Sequence, residues 1–324
     1  MAEDTGGERP PPDLILCDEA HQPEVPGTPV ILLTETPRDD PCTIYRYQCF
    51  EEIHSQLLRC LTSAQGGLST RKGLLVSVCS AAGGWTKHAV AVGLSAQIGD
   101  QNRSALYLNA DPLDLNDMLL DSGLDNGFTK LFLHQNTPEK QTTIQKLFTY
   151  DPRHRFRFLS SPDHFLEKSQ ISWTQWETAL AHMRACGLFD VLVVETASPV
   201  DPVGWEFLCH SDMVILVDGE HPYEQLCQER FLRQAASGPQ SEDLRDKLLA
   251  VTVRQWQGTP CAHGKPIPDG PAGHGWATLQ TGWDEGTKLY LVQDGERVFD
   301  PGGKVSRGIW PIYQYLLERM IVFE

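Results

Sequence analysis

The chain has 324 residues, 40% of them apolar, with 43 acidic and 27 basic side chains that leave a formal charge of −16. This length and apolar content suit one large α/β domain with a small appendage and exclude a disordered chain except at its ends. The acidic balance, without any basic run, argues against nucleic-acid binding and against an anionic membrane surface, since both depend on lysine and arginine meeting phosphates. The nine cysteines are odd in number and form no CxxC pair, which fits reduced thiols better than a disulfide framework. No apolar run approaches the ~20 residues that span a bilayer, and the acidic, proline-rich start lacks the apolar core of a signal peptide. A soluble, cytoplasmic protein without stable membrane insertion is expected.

Residues 1–12 read as a disordered tail. Asp13–Cys17 and Pro29–Thr34 are short apolar runs bounded by Pro, Gly and Asp, and so read as buried strands, with Thr43–Tyr47 as a third. Phe50, Ile53, Leu57, Leu58 and Leu61 then fall on one helical face. This opening piece, residues 13–65, is followed by a Gly-Ser turn and a larger domain over 72–324. There, strands are predicted at Leu74–Val78, Ala105–Leu108, Arg157–Leu159, Val191–Val194, Met213–Val217 and Leu248–Val253. Helices are predicted near 87–98, 113–121, 128–148, 172–186, 202–210 and 221–236. Apolar, non-alternating strands that alternate with helices imply a doubly wound, mainly parallel sheet in a three-layer α/β/α domain. Residues 256–285, rich in Gly, Pro and His, read as an irregular insertion, followed by a strand at Lys288–Val292. A terminal helix carries Ile309, Ile312, Leu316 and Met320 on one side and is expected to dock on the core.

The Leu74–Val78 strand runs into Gly83-Gly84-Trp85-Thr86-Lys87-His88-Ala89 and then a helix rich in small residues. Such a turn lets backbone N–H groups and a helix N-terminus face anionic oxygens, and its lysine adds a point charge. Further on come Ala105–Pro112 (ALYLNADP), Phe189–Ala197 (FDVLVVETA) and Ser211–Gly219 (SDMVILVDG). In order and spacing this series resembles the ParA/MinD branch of P-loop ATPases over residues 72–254, whose loop reads roughly KGGxGKTT. Within that branch it is most similar to the TadZ/CpaE-type pilus-assembly proteins, and residues 13–65 then look like a truncated receiver-like segment. The resemblance implies a homodimer that works with pilus or secretion assembly proteins, open to recruitment to a membrane-associated machine, with ATP as the candidate ligand.

The departures from the family pattern bear on chemistry. The family's signature lysine falls at Ala82, its second loop glycine at Thr86, and its magnesium-binding hydroxyl at His88, with Ala89 next. Imidazole is a poor substitute, because magnesium prefers oxygen ligands in strict octahedral geometry. Thr86 adds a Cβ where glycine-like torsions are common, and Trp85 sets a large ring beside the phosphate path. By resemblance, Asp111 matches the carboxylate that positions water or metal-bound water, and Glu195 replaces the usual second aspartate. Asp111 and Glu195 are therefore the candidate metal-associated residues, and Asp111 the catalytic one if the protein is active. Asn109 has lost the charge of its counterpart, and Val253 stands where an adenine-contacting asparagine is common. Little or no ATP hydrolysis is expected, because phosphoryl transfer depends on positioning and charge neutralisation. Lys87 and the helix N-terminus leave two outcomes open, a bound nucleotide or a simple anion.

Two further readings remain, a divergent active ATPase and a regulatory protein acting through its receiver-like segment. Cys261, His263 and His274 do not make a four-ligand zinc pattern. Trp173 and Trp176, three apart on a predicted helix, are expected in the core or an interface.

Overall fold

The computed structural model describes residues 15–18, 30–36, 38, 43–48, 53, 73–113, 116, 120, 126–133, 147–162, 164–256, 276–284, 290–293, 296–299 and 304–323. The chain divides into two compact units, Met1–Arg71 and Lys72–Glu324. In the first, β1 (Ile15–Asp18), β2 (Val30–Thr34) and β3 (Thr43–Tyr45) form a three-stranded parallel sheet in that order. Ile31 and Ile44 are its buried centre, with Leu33 and Ile53 packed against them. The predicted tail and most of the predicted helix through Phe50 and Leu61 lie outside the described residues.

The second unit begins with β4 (Leu74–Cys79), α1 (Trp85–Asp100), β5 (Ala105–Asn109), α2 (Gly127–Leu133), β6 (Phe148–Asp151) and β7 (Phe156–Leu159). It continues with α3 (Phe165–Ser169), α4 (Trp173–Ala185), β8 (Val191–Glu195), α5 (Pro202–His210), β9 (Met213–Gly219), α6 (Pro222–Ala236) and α7 (Ser241–Lys247). β10 (Leu248–Trp256), β11 (Ala277–Asp284), β12 (Tyr290–Gln293), β13 (Glu296–Phe299) and α8 (Lys304–Phe323) complete it. Eight strands form one sheet in the order β11-β10-β9-β4-β8-β5-β7-β6, parallel throughout except for the β6–β7 pair. The mainly parallel, doubly wound α/β sheet expected from the sequence is therefore observed.

Strand side chains alternate between the faces, and both faces are covered, so the strands are apolar throughout. On one face Val76, Val78, Val193 and Ile215 pack against Val90 and Leu94 of α1 and Ile312 and Leu316 of α8. On the other, Leu75, Leu108 and Val194 meet Trp176, Leu180 and Phe207, while Val214 and Leu216 meet Phe231 and Leu232. The terminal helix thus docks on the core, and Trp176 is enclosed by Phe128, Phe132 and Phe207. No helix among the described residues is long and apolar enough to cross a membrane. Asp201 opens α5 by accepting the Gly204 N–H at 2.8 Å, with Pro202 at the first helical turn. Asp201→Ala is expected to cost about 1 kcal/mol in urea unfolding, the usual value of a lost N-cap.

Two predicted segments need correction. Of the helix expected over 128–148, α2 covers the start through Leu133, and its last residue, Phe148, belongs instead to β6; residues 134–146 lie outside the described residues. β6 and β7 form a hairpin whose turn is set by Asp151, which accepts the Arg153 and His154 N–H groups at 2.9 and 3.2 Å. Within the expected irregular insertion, Ala277–Asp284 is instead a parallel edge strand against β10. Its polar-apolar mixture (ATLQTGWD) hides that pairing from a search for continuously apolar runs. The expected last strand is observed as β12, which pairs with β13 in a separate antiparallel hairpin. Residues 257–275, with Cys261, His263 and His274, lie outside the described residues, as does most of the helix expected at 113–121.

Candidate functional site

Four neighbouring strands deliver the candidate residues to one place. In a parallel sheet all carboxyl ends lie on the same edge, and ligands of open α/β sheets bind there. β4 ends at Cys79 and continues through Ser80–Gly84 into α1; β5 ends at Asn109, two residues before Asp111; β8 ends at Glu195; and β9 carries Asp218 next to its end. The sequence-predicted positions from Gly83 to Ala89, with Asp111 and Glu195, therefore meet at this edge.

The loop turns on two glycines. Gly83 and Gly84 have φ of +81° and +112°, and a Cβ on either would point into open space, so glycine is required by torsion and not by crowding. Thr86 sits inside α1, and among the described residues the only non-glycine positive φ values are at Asn102 and Arg155. The strain expected from a Cβ at Thr86 is therefore absent. Trp85, the first residue of α1, is about half exposed, and Ala89 is fully buried.

Lys87 turns away from solvent. It is 3% exposed, and its ammonium donates to Asp111 Oδ2 at 2.7 Å, the Thr196 carbonyl at 2.6 Å and the Ala197 carbonyl at 3.0 Å. An ammonium has three N–H donors, and three acceptors take them. The same nitrogen lies 3.9 Å from Glu195 Oε1, so it stands between the two carboxylates expected to associate with a metal.

His88, at the expected position of the metal hydroxyl, has Nδ1 2.9 Å from Glu195 Oε2. The Tyr107 hydroxyl donates to that oxygen at 2.7 Å and lies 3.3 Å from His88 Nδ1. Burial by itself pushes the Glu195 carboxyl up, but His88, Lys87 and the Tyr107 hydrogen bond outweigh it and hold the group below the usual carboxylate range. Burial next to that carboxylate drives the Tyr107 phenol well up, so it stays a proton donor.

These residues do not fit a magnesium ion. The charges of Asp111 and Glu195 are met by Lys87, and an imidazole holds the place of the expected oxygen ligand. Among the described residues no three His, Cys, Asp or Glu side chains come together as a metal set. The buried His88–Glu195–Tyr107 group can hold and share protons.

Three participants escaped the sequence reading. Lys168 of α3 donates to the Asn109 carbonyl at 2.8 Å and the Asp111 carbonyl at 3.4 Å, with its nitrogen 5.2 Å from the centre of the Phe128 ring. Burial lowers its pKa to about 7, with Glu195 and Asp111 opposing the fall. Nothing in the local sequence marks it, since α3 is five residues long. Tyr107 was legible in principle, because a tyrosine inside an apolar strand needs a partner for its hydroxyl. Asp218 is the third. It accepts the Ser80 O–H at 2.6 Å and the N–H groups of Ala82 and Ala81 at 3.2 and 3.4 Å. Burial raises its carboxyl to about 6, against the hydrogen bonds from the loop.

No protein-family model and no curated protein matches the chain. Solved structures do. A ParA family ATPase from Chlorobium tepidum TLS superposes with a TM-score of 0.56 at 14% identity, covering 76% of this chain and 99% of that one. A plasmid partition protein from Borrelia burgdorferi gives 0.47 at 13% identity, over 76% and 99% of the two chains. The MinD cell division protein of Aquifex aeolicus gives 0.44 at 15% identity, over 57% and 70%. The ParA family ATPase is the neighbour whose fold this chain shares.

Proposed function

We propose that this protein is a ParA/MinD-like scaffold or localisation factor that does not carry out metal-dependent ATP hydrolysis. The carrying observation is the Lys87 ammonium, whose three hydrogens go to Asp111 and two backbone carbonyls inside the protein. In a working phosphate loop the corresponding lysine reaches the nucleotide phosphates, and a hydroxyl on the loop holds the metal. Here His88 stands at the hydroxyl position and pairs with Glu195. The candidate side chains are each other's partners, within the sheet and helices of the fold.

The sequence resemblance to TadZ/CpaE-type proteins supplies the finer assignment. The proposed role is to help place or assemble a Tad/Flp-type pilus or secretion machine, as a homodimer in contact with its assembly proteins. The parallel strands β1, β2 and β3 would then be a receiver-like remnant available to a regulator. A bound ATP, if present, would lie against Gly83–His88, without magnesium held by this chain's residues.

Calorimetric titration tests this reading. ATP is expected to give the same affinity, or the same absence of heat, with and without magnesium. An affinity at least tenfold higher with magnesium would restore the active-ATPase reading.

A further inference from the structure

Four donors at the start of the loop converge on one side chain and its immediate neighbour. Asp218 is 2% exposed, and its Oδ1 accepts the Ser80 hydroxyl at 2.6 Å and the Ala82 N–H at 3.2 Å. Its Oδ2 faces the Ala81 N–H at 3.4 Å. Ser80 Oγ in turn accepts the Gly83 N–H at 2.8 Å. The outer side of this loop is open, since Ala81, Ala82 and Gly83 are half-buried and Gly84 is exposed. These residues border solvent, while their N–H groups point inward to acceptors that satisfy them.

Carboxylate and phosphate oxygens are the same kind of acceptor for such N–H groups. An external anion would have to compete with Asp218 for the donors and approach against its charge. Asp218 also cannot follow a shift of the loop, because it belongs to β9 and is paired in register with Thr252 of β10. Among the described residues no ion pair to Asp218 is seen, and the loop's own lysine, Lys87, is bonded to Asp111, Thr196 and Ala197.

We propose that Asp218 is a built-in anion that keeps the loop closed to phosphate ligands, an autoinhibitory contact within one chain. The inference deepens the reading above, for it rests on Gly83–His88 having the shape of an anion cradle. Asp218 reaches the glycine turn through Ser80, whose hydroxyl donates to it and accepts the Gly83 N–H.

The test uses the full chain and inorganic pyrophosphate at pH 7.5, without magnesium. Asp218→Asn keeps the shape and removes the charge, and is expected to bind pyrophosphate at least tenfold more tightly than the wild type by calorimetry. Equal affinity in the two proteins would overturn the proposal. Should the variant fail to fold, the wild type alone decides. The amide resonances of Ala81 and Ala82 are expected to stay in place up to millimolar pyrophosphate, and their saturable movement at micromolar pyrophosphate would overturn the proposal. Failure here is separable from failure of the hydrolysis-free reading, which depends on magnesium and on Lys87 and is untouched by either arm.

Discussion

Glu195→Ala is expected to destabilise the protein by about 3–5 kcal/mol, the cost of removing one partner from a buried ion pair and leaving the other uncompensated. Two groups lose their acceptor at once, the His88 imidazole at 2.9 Å and the Tyr107 hydroxyl at 2.7 Å, and the Lys87 ammonium loses a carboxylate 3.9 Å away. Truncation at the end of a buried strand also leaves a void where the carboxylate stood. The effect has a defined pH dependence. The Glu195 carboxyl is held below its ordinary value in the folded protein, so its contribution is complete above the unfolded-state value and fades as pH falls through the folded one. The stability difference between wild type and Glu195→Gln, measured by urea unfolding, should be constant near neutrality and shrink below about pH 4.3, the ordinary glutamate value. A Glu195→Ala loss under 1 kcal/mol would mean that the carboxylate is not the centre of this cluster.

Lys87→Met is the second large effect, expected at about 3 kcal/mol or more. Methionine fills similar volume but donates nothing, so Asp111 and the carbonyls of Thr196 and Ala197 lose their donor together. Asp111 is partly open and can turn to water, whereas the Thr196 carbonyl belongs to a residue that is 1% exposed. Lys87→Arg should not rescue fully, because a planar guanidinium cannot offer three tetrahedral donors in the same space. The direction separates two kinds of lysine. One kept for a nucleotide sits in a site optimised for function, and its removal is often neutral or stabilising. One that ties the fold together is costly to lose. A Lys87→Met protein as stable as wild type in urea would show that the lysine is held for an external ligand.

Much of the fold was legible because burial on both faces of a parallel sheet leaves a strong mark. Leu74–Cys79, Val191–Glu195 and Met213–Gly219 are almost wholly apolar and bounded by polar turns. Edge strands leave a weaker mark. β11 is covered on one edge only and mixes Thr and Gln into its run, and β6 follows a segment whose periodicity looked helical. The candidate residues Lys87, Asp111 and Glu195 are legible through the motifs that resemble the ParA/MinD pattern, each placed after a predicted strand. What they bond to could not. Ser80 and Asp218 are 138 positions apart in sequence, and Lys87 and Thr196 are 109 apart. Such pairs are set by which strands are neighbours in the sheet, and local spacing carries no record of that order. Lys168 shows the limit most clearly, since a five-residue helix brings it to a site that its own sequence does not announce.

Phosphate release from ATP, followed with and without magnesium, tests most directly the claim that Lys87, His88, Asp111 and Glu195 serve one another and not a nucleotide. The expected result is a rate at the protein-free background in both conditions, unchanged in Lys87→Ala. Magnesium-dependent turnover that disappears in a still-folded Lys87→Ala protein would contradict it.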